Sequence, residues 1–328
     1  MKTIQPIFRI ILVCLLLVSV HIAQAQTKSR VIITAGGNEL TQREVGKALT
    51  AVLQEVNHIA AGNGDLENVR EFFTPGGFTE MQELVKNTGL FTTIPEYRTH
   101  LLQTSDNTYQ VRGIRVRVKM GDTKGDDIQE AVFVLNFRLF IENVQFAMEK
   151  HHYQRLIEEG EKLDDMIFRH QALSFLENFR TAHNRKDLDF LEKTYSDNAL
   201  IIVGRVLEEK EGESDFLESS LLAQNKIEFI KLSKQQYIER LRQVFKLNSF
   251  VRVTFDDVEI IRHPKYPEIY GLKLRQRWNS SSYSDEGYLF IMMDFADPDQ
   301  PVIHVRAWQP EPFEDGSVVG LGDFRIID

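Results

Sequence analysis

The chain has 328 residues, of which 42% are hydrophobic and 27% charged, with 39 basic against 48 acidic side chains and a formal net charge of -9. The length favours two domains over one. The composition excludes wholesale disorder, collagen-like repeats and a polytopic membrane protein. The acidic balance argues against a broad phosphate-binding surface, so nucleic acid is not an expected partner.

Residues 1–25 read as a secretory signal: Lys2 and Arg9 supply positive charge, Ile10 to Val20 an apolar run, and Ala23-Gln24-Ala25 small residues for cleavage. The run is shorter than the roughly 20 residues a bilayer demands, so no stable membrane span is expected after cleavage. Cleavage before Gln26 removes Cys14, the single cysteine. Disulfides, thiolate nucleophiles and cysteine-bound zinc then leave the list of possibilities. The expected destination is the periplasm or cell surface of a Gram-negative bacterium, and residues 26–39 form a lead-in.

Thr41-Gln42-Arg43-Glu44 fits a capping box, after which Val45, Ala48, Leu49, Val52, Val56 and Ile59 recur at helical spacing up to Gly62. Asp65 to Phe73 predicts a short helix stopped by Thr74-Pro75-Gly76-Gly77, with a further helix over Thr79 to Lys86. From Tyr97 the pattern alternates. Ile114, Val116, Val118 and Met120 oppose Arg115, Arg117 and Lys119, Gly121 to Asp127 reads as a turn, and Ala131 to Ile141 returns, so an antiparallel meander is expected.

The second half repeats the order. Phe175, Leu176, Phe179 and Ala182 predict a helix, and Asp187 to Tyr195 a short one. Val52-Leu53-Gln54-Glu55-Val56 aligns with Phe175-Leu176-Glu177-Asn178-Phe179 and Asp65-Leu66-Glu67 with Asp187-Leu188-Asp189, at an offset of about 122 residues with a one-residue slip. Strands at Leu200 to Gly204 and Ile227 to Ile230 flank the acidic stretch Glu208 to Ser220, which reads as a solvated hairpin insertion. Ser233 caps a helix bearing Tyr237, Leu241, Val244 and Phe245 on one face. Four strands follow, near Val251 to Ile261, Ile269 to Trp278, Glu286 to Phe295 and Pro301 to Gln309. Helices first and a long meander last define the α+β class.

Ala172-Leu173-Ser174-Phe175-Leu176-Glu177-Asn178-Phe179, Lys186-Asp187-Leu188-Asp189-Phe190-Leu191, Ser196-Asp197-Asn198-Ala199-Leu200-Ile201-Ile202 and His304-Val305-Arg306-Ala307-Trp308 resemble the nuclear transport factor 2-like superfamily. The cone-shaped fold of that superfamily is shared with ketosteroid isomerases and polyketide cyclases. The resemblance implies two tandem domains of this type, 40–156 and 166–313, each with N-terminal helices packed on a curved antiparallel sheet. A connector at 157–165 and a tail at 314–328 complete the chain. The superfamily hosts enzymes, adaptors and binding modules, and no motif transfers its catalytic residues to this sequence.

HExxH, GxSxG, P-loop and GxGxxG signatures are all missing, His151-His152 cannot chelate together in a strand, and no cofactor or metal is expected. Alternation places Lys273, Arg275 and Arg277 on one face, Tyr288, Met292 and Asp294 on another, and His304, Arg306 and Trp308 on a third. Arg275, Arg277, Tyr288, His304, Arg306 and Trp308 are therefore the candidate ligand or interface residues. Three readings remain open for them: an ion-paired interface with a protein partner or second copy, a site for an anionic small molecule or a glycan, or acid-base chemistry. The expected function is an exported, non-catalytic binding or assembly module. The alternative is an isomerase- or cyclase-like enzyme with Asp294 or His304 as base and Tyr195 as donor.

Overall fold

The computed structural model describes residues 28–92, 94–105, 108–119, 128–148, 163–206, 227–297 and 300–324. The expected secretory signal, the turn at Gly121 to Asp127, the acidic stretch Glu208 to Ser220 and most of the connector at 157–165 lie outside them. The chain divides into two compact units, Met1–Ala147 and Met148–Asp328. Each has one six-stranded sheet, so the fold is mixed α+β with two separate sheets.

In the first unit β1 (Arg30–Ala35) precedes α1 (Glu39–Ala60). This strand falls in the expected lead-in, because five residues of β1 find a parallel partner in β3 (Glu96–Ser105), a pairing that local pattern does not announce. Asn38 rather than Thr41 is the N-cap of α1, its side chain accepting from Thr41 N at 2.9 Å. Val45, Leu49, Val52, Leu53 and Val56 then point inward. A 3-10 helix, Leu66–Phe72, is capped by Asp65. The 3-10 helix stops before Thr74-Pro75-Gly76-Gly77 as expected, and the same four residues also start the next helix: Thr74 accepts from Gly77 N at 3.1 Å and α2 (Pro75–Thr88) opens with proline. The missing N–H of Pro75 costs nothing in a first helical turn, and its φ is already helical. The expected meander follows as β2 (Phe91–Thr92), β3, β4 (Thr108–Arg117), β5 (Ile128–Asn136) and β6 (Ile141–Phe146). Sheet order is β1-β3-β4-β5-β6 with β2 against β4, and Ile114, Val116 and Val118 are buried as their alternation requires.

In the second unit α3 (Leu163–Arg185) and α4 (Leu188–Thr194) lead into β7 (Tyr195–Val206) and β8 (Ile227–Leu232). Helix α5 (Lys234–Leu247) carries the full capping box, Ser233 accepting from Gln236 N while the Gln236 side chain accepts from Ser233 N. Then come β9 (Val251–Arg262), β10 (Ile269–Ser280), β11 (Ser284–Asp294) and β12 (Val302–Gln309), in the sheet order β8-β7-β12-β11-β10-β9. One face packs Leu272, Leu274, Leu289, Ile291, Met293 and Trp308 against Phe175, Leu176, Phe179, Tyr237 and Leu241 of the helices. The other face carries Ile269, Phe290, Met292, Val305 and Ala307 under Val319, Leu321 and Phe324 of the C-terminal segment. The tail beyond residue 313 is thus packed onto the sheet up to Phe324.

Candidate functional site

The face of the second sheet away from the helices holds most of the arginines singled out from sequence. Arg275 and Tyr288 are cross-strand partners there. Arg275 pairs with Glu286, and Arg277 with Glu286 at 3.1 Å and Asp256 at 3.2 Å. These exposed pairs join β9, β10 and β11 in a lattice of opposite charges. Asp294 lies opposite Ile269 on this same face, with His304 Nε2 at 3.3 Å from its Oδ2.

Arg306 and Trp308 are elsewhere. The pairing of β12 with β7 shifts register between Ile303 and Val305, and that with β11 between Met292 and Met293. Such a bulge inserts one residue and turns the rest of the strand over. His304 therefore looks away from the helices while Arg306 and Trp308 look toward them, and the expected common face of the three does not exist. The same turn separates the acid-base set: Tyr195, 2% exposed, lies in the helix-side core, across the sheet from Asp294 and His304. Met292 does sit on the outer face, but Trp308 does not, and Met292 is covered by the chain's own tail.

What Arg306 and Trp308 line is a cleft of about 480 Å³ between α5 and the helix-facing side of the sheet. Its walls are Leu232, Tyr237, Leu241, Val244 and Trp278. The Arg306 guanidinium stands 5.0 Å from the Tyr237 ring centre. Arg306 Nε, Trp308 Nε1, the Tyr195 hydroxyl and Asp285 Oδ1 are buried without a hydrogen bond of normal geometry, although Tyr237 and Arg306 lie close enough to Tyr195 to perturb it. Buried polar groups are nearly always satisfied by protein or solvent, so three such atoms on the cleft lining, on Arg306, Trp308 and Asp285, set the place apart. Gly287 makes the indole's seat: a Cβ there would stand 2.8 Å from Trp308 Cζ2 and 2.5 Å from the Gln309 carbonyl.

Electrostatics follow from burial. Desolvation raises the Asp285 carboxyl, against the hydrogen bond from Tyr283 (2.8 Å) and the Arg306 charge, which lower it. Tyr195 is raised well above the usual phenol range, chiefly by burial. His183, under the cleft floor, is pushed down to about 4 by desolvation, so its ring is neutral at pH 7. Below the cleft the domain is filled with aromatic side chains: Phe179 lies 5.5 Å from Phe175 and 4.7 Å from His183, and Trp278 lies 5.9 Å from His183. A carboxyl beside a tyrosine at the mouth and an aromatic-filled interior beneath thus occur together.

Sequence reasoning missed Asp285 and Tyr237 as cleft residues. Asp285 falls in a run of turn-forming residues before the apolar stretch of β11, and its only signal was parity with the inward Leu289 and Ile291. Tyr237 carried helical periodicity indistinguishable from plain core. Among the described residues no three His, Cys, Asp or Glu side chains gather as a metal site, and no helix is long and apolar enough to cross a membrane.

No protein-family model matches the sequence, and no curated protein matches it. Solved structures with some likeness include Bd1075 of Bdellovibrio bacteriovorus, 16% identical over 52% of this chain and 46% of that one, with a TM-score of 0.32. A nuclear transport factor 2-like protein of unknown function from Shewanella oneidensis is 14% identical over 42% of this chain and 96% of its own, with a TM-score of 0.29. Naphthalene 1,2-dioxygenase is 11% identical over 50% and 88%, with a TM-score of 0.35. This chain spans less than half the length of Bd1075. The structural neighbours include nuclear transport factor 2-like proteins, and each likeness covers about half of the chain or less.

Proposed function

We propose that this protein is an exported, non-catalytic binding module, with a small-molecule site in the helix-side cleft of its second unit and sheet faces available to a protein partner or a second copy. The observation that carries the reading is the convergence of two buried, unsatisfied donors, Arg306 Nε and Trp308 Nε1, on one cleft. Leaving such groups unsatisfied costs about 1–3 kcal/mol each, a cost that a bound ligand removes. The non-catalytic part is supported by the separation of Asp294 and His304 from Tyr195, and the export part by residues 1–25. Native mass spectrometry of the protein purified from the cell envelope tests both halves. A chain starting at Gln26 with a retained small molecule is the expected result, and a full-length cytoplasmic chain without one overturns it.

One observation favours a second reading. Asp285 on the cleft lining, raised by desolvation, keeps a buried, unsatisfied Oδ1 and binds Tyr283 through Oδ2, the environment in which an isomerase- or cyclase-like enzyme tunes a general acid or base. Under this reading Asp285→Asn abolishes turnover of whatever compound is retained, whereas a binding module holds it unchanged.

A further inference from the structure

The polar groups of the cleft are unbalanced in kind. Arg205, Arg240 and Arg306 are its cations, and Asp285 is its one carboxylate. Arg205 is taken by Glu228, with Nε at 2.6 Å from Oε2, at an exposed position of the β7–β8 pair. Asp285 feels the Arg306 charge but spends its Oδ2 on the Tyr283 hydroxyl, and no ion pair joins it to Arg306. Arg306 is only 7% exposed; the Tyr237 ring stands 5.0 Å from its guanidinium, and the Tyr195 hydroxyl beneath lies close enough to feel it, while its Nε is left without a partner. A ring face attracts the cation but accepts none of its in-plane N–H bonds. Two residues along β12 the 8%-exposed Trp308 adds another unpartnered donor on the same face. The buried floor is made of donors and bears a positive charge, while the walls, Trp278, Leu232, Leu241 and Val244, are apolar.

Resting on the binding reading above, we infer that the cleft takes a carboxylate carried on a flat, apolar body: the anion meets Arg306 and Trp308 Nε1, and the body lies between Trp278 and the α5 side chains. Charge-assisted bonds to a planar guanidinium are the strong ones in a dry site, and Arg presents a fork that matches a carboxylate. The aromatic and aliphatic walls supply area without polar demands.

The chain has two tryptophans, and Trp278 and Trp308 both line this cleft, so intrinsic indole emission reports its occupancy. The mature protein is titrated with 3-phenylpropionate and, separately, with the neutral 3-phenylpropanamide, following tryptophan emission and the melting temperature. The acid is expected to give a saturable change with an apparent affinity at least about tenfold tighter than the amide. In Arg306→Gln that difference collapses, in Arg306→Lys it is reduced, and in Arg242→Gln, an exposed α5 variant outside the cleft lining, it is kept. Equal binding of acid and amide overturns the anion inference and leaves the binding reading standing. A preference for the acid that survives in folded Arg306→Gln also overturns it. If neither compound changes emission or melting the inference falls, and if native mass spectrometry also finds no retained molecule the binding reading falls with it. Because acid and amide are compared on the unmodified protein, the test does not depend on any variant folding.

Discussion

His183 is 3% exposed, its Nδ1 lies 2.8 Å from the Phe179 carbonyl, and its ring stands among Phe179, Phe245 and Trp278, with the Arg306 charge nearby. Burial in that aromatic nest, helped by Arg306 and opposed by the carbonyl, holds its pKa down at about 4. The unfolded chain protonates first, near the ordinary value of about 6.5. Stability is therefore full above that value and is lost as pH falls through the window toward 4, by on the order of 3 kcal/mol. Urea unfolding of the wild type and of His183→Gln at pH 7 and pH 4.5 should show a larger acid loss in the wild type. Equal losses would mean that the imidazole is not buried in its neutral form. Arg306 acts at the same scale: the bulge that turns it inward takes it out of the ion-pair lattice of Arg275 and Arg277 and makes it a cleft residue.

At the scale of elements, the turn from α3 to α4 depends on Asp187. Its Oδ1 accepts from Phe190 N at 2.9 Å as the N-cap of α4, and its Oδ2 accepts from Arg185 Nε at 3.0 Å and Nη2 at 2.8 Å. The Arg185 side chain is 0% exposed. Lys186 between them takes a left-handed φ of 61° and is tied by Nζ to the Asn248 carbonyl at 2.6 Å, where α5 ends. Losing the cap alone costs about 1 kcal/mol, but removing the carboxylate from a buried guanidinium costs about 3–5 kcal/mol. Asp187→Ala is expected to destabilise the second unit by at least about 3 kcal/mol in chemical denaturation, and Asp187→Asn by less, since the amide oxygen still caps. An Asp187→Ala loss of only about 1 kcal/mol would show that Arg185 finds an equivalent partner. Asp65 caps the 3-10 helix of the first unit in the same place of the repeat, which is why the aligned Asp-Leu pairs were visible in sequence.

At the scale of the whole chain, the apolar patches on the two faces of the second unit's sheet are each packed by described residues of that unit, while the ion-paired part of the outer face stays exposed. Among the described residues its helix-side core runs from Met148 to Trp308, and its outer patch is roofed by Val319, Leu321 and Phe324, with Phe324 stacked on Phe290 at 5.4 Å and 6°. Ending the chain at Ser317 uncovers Ile269, Phe290, Met292, Val305 and Ala307 together. Burial of the three roofing side chains is worth about 3 kcal/mol or more, and a bare apolar sheet face invites self-association. The truncated protein is expected to melt lower and to gain mass in light scattering with rising concentration. A monomer of unchanged melting temperature would mean that the tail adds no stability.

The sequence by itself determined the helices, the four long C-terminal strands, the cap at Ser233 and the α+β order, because each follows from interactions within a few residues: period, capping and turn chemistry. The internal alignment was legible for the same reason, since it compares local patterns. Only the tertiary structure decided which strand residues share a face. Period-two alternation assigns faces while register holds, and whether register breaks depends on the partner strand, as at Ile303/Val305 on β12. That break sends His304 to Asp294 and Arg306 to Tyr237, separating a candidate catalytic pair from a candidate ligand anchor two residues away. Strand β1 and the cleft role of Asp285 were hidden likewise, because both arise from contacts with chain far away in sequence: β3 for β1, and Arg306 for Asp285.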